Sequence, residues 1–143
     1  MRFSIAVRLQ RLAHALRQRS RTLAWPVSAL YRLFSLFLLS IDIPVSTKIG
    51  RNLRIYHGFG VVIHPNAVLG DNVTLRHSVT IGSVESGADA PAPRIGNGVD
   101  IGVGAILLGD IEVGDGCKIG AGAIVVKSVP AGKTCKARAA EWL

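Results

Sequence analysis

Aromatic residues are scarce, with Phe, Trp and Tyr together making up 6% of the 143 residues. A chain that bound nucleic acid by stacking would interleave aromatics with its cations. This one does not, so its net charge of +8 does not point to a nucleic-acid partner. Cysteine is nearly absent, with only Cys117 and Cys135. Two separated thiols form neither a disulfide framework nor a zinc pattern, so no metal is expected and a reducing cytoplasm is the expected compartment. Long apolar runs are missing as well. The run Leu33–Ile43 is about half of the roughly 20 residues a spanning helix needs. No small-residue cleavage site follows it, which argues against a secretory leader.

Acidic residues are missing from one end. Residues 1–40 contain seven arginines (Arg2, Arg8, Arg11, Arg17, Arg19, Arg21 and Arg32) and no Asp or Glu, whereas from Asp42 onward ten basic residues face nine acidic ones. The basic character therefore belongs to an N-terminal arm on a nearly neutral body, in a chain of single-domain length. Ile5, Leu9, Leu12 and Leu16 follow a 3.6-residue period and predict a helix, with Arg8, Arg11 and Arg19 off the apolar stripe. Trp25-Pro26 is expected to break it, and a second helix is expected over 29–39. Such an arm packs on the body or on another subunit, or else lies as a basic amphipathic anchor on an anionic membrane surface. The sequence leaves both open.

What the body has in quantity is a period of six. Aliphatic residues recur at Ile43, Ile49 and Ile55, then at Ile63, Leu69, Leu75 and Ile81, then at Ile95, Ile101, Leu107, Val113, Ile119 and Val125. Small or apolar side chains often follow four residues later, as at Ala67, Val73, Val79, Val99, Ala105 and Cys117. Neither a helix nor a long strand gives this period, but a hexapeptide repeat does. Each repeat supplies one short parallel strand with its aliphatic pointing inward, and glycine or asparagine takes the tight corner. Three repeats close a triangular coil of 18 residues, so the fold class is mainly β: a parallel β-helix of about four coils. The expected organisation is an arm at 1–41, a β-helix at 42–132 and a tail at 133–143.

Two places break the register. Ile55 to Ile63 spans eight residues, inserting two around His57-Gly58-Phe59-Gly60. Ile81 to Ile95 spans fourteen, leaving "SVESGADAPAPR" (83–94) as an extruded loop. Loops on a rigid scaffold are where binding and chemistry concentrate. His57, His77 and Asn97 each lie two positions after an inward aliphatic, so spacing predicts that they stack in one column. A neutral imidazole at such a break suits general-base work, because it can take a proton near pH 7. His64, beside Pro65, reads as a turn residue. The histidines are too widely spaced for the close pair of a three-histidine zinc site.

The wording of the repeats goes further than their period. "IGNGVDIGVGAILLGDIEVGDGCKIGAGAIVVKSVPAG" (95–132), "DIPVSTKIGRNLRIYHGFGVVI" (42–63) and "SVTIG" (78–82) resemble the left-handed β-helix, hexapeptide-repeat acetyltransferases, and within them the serine acetyltransferase branch. With its short helical N-terminus the chain is also similar to the short exopolysaccharide O-acetyltransferases of the colanic-acid type. The resemblance implies left-handed coils and a homotrimer with acetyl-CoA between neighbouring prisms. It places His57 at the catalytic-histidine position and Asp42 at that of the orienting aspartate. Gly102-Val103 and Gly120-Ala121 fall where the pantetheine arm runs. For the CoA 3′-phosphate, Lys127, Lys133, Lys136 and Arg138 are the nearby cations.

The departures from that branch concern the acceptor. Its arginine–histidine pair at the end of the extruded loop is replaced by Pro91 and Ala92, and its aspartate before the catalytic histidine by Tyr56. An amino-acid clamp is lost, and a residue suited to packing on a sugar face is gained. Tyr56 and His77 become candidate acceptor-binding residues. The closing "G-x-P-A-R" motif has become "CKARAAEWL" (135–143). These changes favour acetylation of a polysaccharide sugar over serine acetylation. A non-catalytic trimeric β-helix module is the remaining alternative, and trimers could pair through their arms.

Overall fold

The computed structural model describes residues 3–138. The end of the tail, at 139–143, and the side chain of Ile5 lie outside what is described. Two helices, α1 (Phe3–Arg19) and α2 (Arg21–Leu39), precede a parallel β-helix. The break between them falls at Ser20, whose backbone is extended at φ −158° and ψ 121°, and not at Trp25-Pro26. Pro26 lies inside α2. So close to the helix start, its missing N–H removes a single intrahelical bond, and the helix runs through it.

The chain then winds into coils. The first contains β1 (Ile41–Asp42), β2 (Lys48–Ile49) and β3 (Arg54–Tyr56). The second contains β4 (Val61–Ile63), β5 (Val68–Leu69) and β6 (Thr74–Arg76), and the third β7 (Thr80–Gly82), β8 (Arg94–Ile95) and β9 (Asp100–Ile101). The fourth has β10 (Ile106–Leu108), β11 (Glu112–Val113) and β12 (Lys118–Ile119). A fifth is made by β13 (Ile124–Val125), a bridge from Val113 to Val129, and β14 (Thr134–Cys135). The strands stack in parallel into three faces: β1-β4-β7-β10-β13, β2-β5-β8-β11 and β3-β6-β9-β12-β14. This is the parallel β-helix that the hexapeptide period predicts, left-handed as the resemblance implies, with a fifth coil because β1 and β14 extend the stack at both ends. β14 pairs with β12 inside the stretch read from sequence as tail.

The six-residue period is the inward face of this prism. Ile63, Ile81, Leu107 and Val125 form one column, and Leu69, Ile95 and Val113 a second. Leu75, Ile101 and Ile119 form a third. Ile81, Ile101 and Leu107 expose no surface, and burying a side chain of this size contributes about 1.5–3 kcal/mol. Asn52 and Asn72 take left-handed corners at φ 56° and 58°, a conformation asparagine tolerates better than most residues. Along that corner runs a ladder of Asx acceptors. Asp71 Oδ1 accepts the Arg51 N–H at 2.6 Å, Asn97 Oδ1 the Asp71 N–H at 2.8 Å, and Asp115 Oδ1 the Asn97 N–H at 2.6 Å.

Asn97 therefore belongs to this corner and not to the histidine column. The extruded loop adds eight residues to the third coil, so the residue over His77 is Val103.

The arm docks on the first coil by a face other than the one its aliphatic spacing suggests. Leu12 is 54% exposed, while Val7, Gln10 and Ala13 are buried. Gln10 is drawn inward because its amide donates to the Thr47 carbonyl at 3.2 Å and the Pro44 carbonyl at 3.4 Å. His14 Nδ1 lies 2.7 Å from the Val45 carbonyl, which can only accept, so that nitrogen carries the proton. Arg11 donates to the Gly50 carbonyl. From α2, the buried Tyr31 hydroxyl donates to the Ile43 carbonyl at 3.0 Å. Among the described residues no helix is long and apolar enough to cross a membrane.

Candidate active site

His57 follows β3 at the corner where the first coil turns into the second. Its backbone is left-handed, at φ 51°. The two inserted residues are absorbed here, each turn amide finding a carbonyl. Phe59 N–H donates to the His57 carbonyl, Gly60 N–H to Ser40, and Ser78 N–H to Phe59, all at 2.8 Å. The insertion lets the chain swell outward at this corner without breaking the strands on either side, and it leaves the His57 side chain exposed.

The register Ile55–Leu75 puts His77 directly over His57, one coil on. Both line a groove of about 470 Å³ together with Arg54, Tyr56, Thr74, Arg76, Asp100 and Val103. The Arg76 guanidinium is paired with the Asp100 carboxylate and reaches the Ile101 carbonyl at 3.3 Å. That hydrogen-bonded carboxylate raises the Arg76 pKa above its ordinary value.

Asp42 is placed differently. It pairs in register with Val62, and the residue bonded beneath Gly60 is Ser40. Asp42 therefore lies two residues past the position beneath Gly60. Asp42 lines a second groove, of about 720 Å³, with Arg17, Trp25, Arg32, Pro44 and His64 among its walls. Among the described residues, no hydrogen bond joins Asp42 to His57. The two residues flank the same corner of the first coil from opposite sides.

The four residues expected along the cofactor arm do stack. Gly102 N–H donates to the Ile119 carbonyl at 2.7 Å, and Gly122 N–H to the Val103 carbonyl at 2.8 Å. A Cβ added to Gly102 would lie 2.5 Å from the Ala121 nitrogen. Glycine at 102 thus lets the third and fourth coils approach closely at this corner, and the next residue, Val103, reaches the lip of the His57 groove.

At the end of the extruded loop Pro91 is half-buried and Ala92 is packed down. Ala92 is only 5% exposed. The loop is fastened by Asn66, whose amide nitrogen donates to the Ala88 carbonyl at 2.8 Å and the Ala90 carbonyl at 2.9 Å. Sequence reasoning missed Asn66, Arg54, Arg76 and Asp100. Asp100 could have been found by counting the eight extra loop residues into the register, and Arg54 and Arg76 by their place beside the two histidines on β3 and β6. Among the described residues, no group of three His, Cys, Asp or Glu side chains could hold a metal ion.

Comparison with known proteins gives a consistent set of relatives, although no family model matches the chain. WcaB of Escherichia coli (strain K12), named for acetyl transfer in colanic acid biosynthesis, is 47% identical over 89 residues, covering 62% of this chain and 54% of WcaB. The serine acetyltransferase of Helicobacter pylori (strain ATCC 700392 / 26695) is 43% identical over 102 residues, covering 71% of this chain and 57% of that protein. Among solved structures, the soybean serine acetyltransferase apoenzyme superposes with a TM-score of 0.82 at 37% identity, over 93% of this chain and 54% of that one. The serine acetyltransferase of Brucella abortus strain S19 in complex with coenzyme A gives a TM-score of 0.80 at 37% identity, over 95% of this chain and 53% of that one. The chain thus spans about half the length of each of these relatives. With its left-handed hexapeptide prism, short helical arm and histidine-bearing corner, it belongs to the hexapeptide-repeat acetyltransferases, in the serine acetyltransferase-like branch.

Proposed function

We propose that the protein is an acetyl-CoA-dependent O-acetyltransferase whose acceptor is a sugar hydroxyl in surface or exopolysaccharide biosynthesis. The observation that carries this reading is the groove itself, where His57, His77 and Val103 meet beside the close-packed backbone of Gly102 and Gly120. Acetyl-CoA would supply the acetyl group as a thioester. Gly102, Val103, Gly120 and Ala121 would hold its pantetheine arm by backbone contact. His57 takes the acceptor's proton as its oxygen attacks and returns it to the departing sulfur, a role worth about 10²–10⁴-fold in rate. Asp42 is proposed as a positioning residue that orients the imidazole, and Tyr56 and His77 as acceptor contacts. Pro91 and Ala92 offer no charge to an amino-acid acceptor, which supports sugar over serine.

Association as a homotrimer is part of the proposal. It is supported by the exposed apolar residues on the β1-β4-β7-β10-β13 face, where Val62 is 45% and Ile124 68% exposed. Pairing of trimers through the arm is also compatible with this arrangement. The arm itself carries exposed Trp25, Leu30 and Leu33 among its arginines. That combination supports a peripheral, cytoplasmic-side contact with anionic membrane, which salt-sensitive co-sedimentation with anionic liposomes would test.

The enzymatic test is thiol release from acetyl-CoA with L-serine and an oligosaccharide panel as parallel acceptors. His57→Asn is the control, since asparagine tolerates the left-handed corner. Release with sugars, lost in the variant at unchanged stability, is expected. Serine turnover at an ordinary enzyme rate would overturn the acceptor. Wild-type turnover by His57→Asn would overturn the mechanism.

A further inference from the structure

The His57 groove contains more positive charge than acyl transfer uses. Arg76 is committed to Asp100. Arg54, at the start of β3, is exposed, lines the same groove, and makes no side-chain hydrogen bond or ion pair among the described residues. Its register partner is Thr74, and Tyr56, 51% exposed, stands on the same strand under Arg76. Beside the paired Arg76 and Asp100, the groove holds one uncompensated guanidinium next to a hydroxyl and a phenol face. One excess charge matches a carboxylate monoanion better than a phosphate dianion. Guanidinium is also the side chain whose forked donors fit a carboxylate.

Position decides which reactant that carboxylate would belong to. Arg54 lies on the first coil, Gly102 on the third and Gly120 on the fourth. At about 4.8 Å per coil, Arg54 sits roughly 10–14 Å from these glycines, at the opposite end of the groove from the cofactor.

We propose that the acceptor bears a carboxylate as well as the hydroxyl to be acetylated, as a uronic-acid sugar does, and that Arg54 holds this carboxylate while His57 addresses the hydroxyl. This rests on the O-acetyltransferase reading above. The groove volume suits a sugar ring. The same carboxylate chemistry is also offered by a hydroxy amino acid.

The test is direct binding without acetyl-CoA. Calorimetric titrations would use methyl glucuronide, methyl glucoside and L-serine against wild type, Arg54→Met and Arg54→Lys. The glucuronide is expected to bind at least tenfold more tightly than the glucoside. That preference should vanish in Arg54→Met and partly return in Arg54→Lys, with glucoside binding and acetyl-CoA affinity unchanged. Arg54-dependent binding of serine in place of the glucuronide would keep the carboxylate assignment and name the other source. Equal binding of the two glycosides without serine binding, a preference that survives Arg54→Met, no binding of either carboxylated probe, or a loss of acetyl-CoA affinity in Arg54→Met would each overturn it. Thiol release measured on the same samples keeps the two readings apart. Absent turnover alongside Arg54-dependent binding would defeat the acetyltransferase reading alone.

Discussion

In the prism, a buried side chain meets the same kind of neighbour on the coil before it and the coil after it. In the arm, each buried contact is made once. Leu107 stacks between Ile81 and Val125, and any of the three could be another aliphatic without changing the architecture. Gln10 is buried for a different reason, having found the Pro44 and Thr47 carbonyls with an amide of the right reach. Repetition makes the prism tolerant in detail and dependent on volume. The arm depends on a few polar bonds to carbonyls of the first coil.

The largest effect is expected inside the prism. Leu107→Ala removes a fully buried side chain and should cost about 2–5 kcal/mol, read as a fall in the urea midpoint at unchanged slope. A loss below about 1 kcal/mol would mean that neighbouring coils collapse into the gap, and the contrast with the arm would fail. Next comes Gln10→Met, of similar shape but without donors. It should cost about 1–3 kcal/mol by removing the buried donor to the Thr47 carbonyl, and detachment of the arm should precede unfolding of the prism.

Tyr31 sharpens the comparison through pH. Burial pushes its phenol up to about 12 from an ordinary 10.0. The folded-state pKa is raised, so the stability it brings is complete below pH 10 and is lost as the pH rises through 12, amounting to about 2 kcal/mol. Tyr31→Phe should remove that alkaline loss while costing about 1 kcal/mol at neutral pH through the Ile43 carbonyl. Parallel alkaline limbs in the two proteins would show that the arm does not bury this hydroxyl in solution.

The smallest effect is expected at the exposed corner ladder. Arg51 hydrogen bonds hold the Asp71 carboxyl below its ordinary 3.8. A lowered pKa contributes stability above that value which disappears as the pH falls through the folded pKa. Asp71→Asn should therefore flatten the acid limb of the unfolding midpoint and change little at pH 7, as exposed ion pairs do.

The same contrast explains what could be read in advance. A signal repeated thirteen times identifies its own period, so the inward columns and the left-handed corners at Asn52 and Asn72 were legible residue by residue. The two interruptions were legible as interruptions, and so was His57. Their consequences for register were harder to follow. Counting the extruded loop as a two-residue insertion put Asn97 over His77, where Val103 belongs, and this hid Asp100 from the groove. The arm obeyed its helical period but not its apolar stripe, because Gln10 and His14 are oriented by carbonyls that exist only once the first coil has folded. Pro26 was read by its local habit and overruled by its place near a helix start.

Asn66 has a consequence for how such a chain can change over time. It fastens the Ala88 and Ala90 carbonyls, so the extruded loop is closed at its base by a side chain from the coil below. β7 and β8 on either side are held by their own neighbours. Residues 83–87 can accordingly be lengthened, shortened or exchanged as a cassette without disturbing the winding of the prism. A fold whose interior permits little novelty thus keeps one segment open to evolutionary drift, and a protein engineer could graft foreign loops at the same seam.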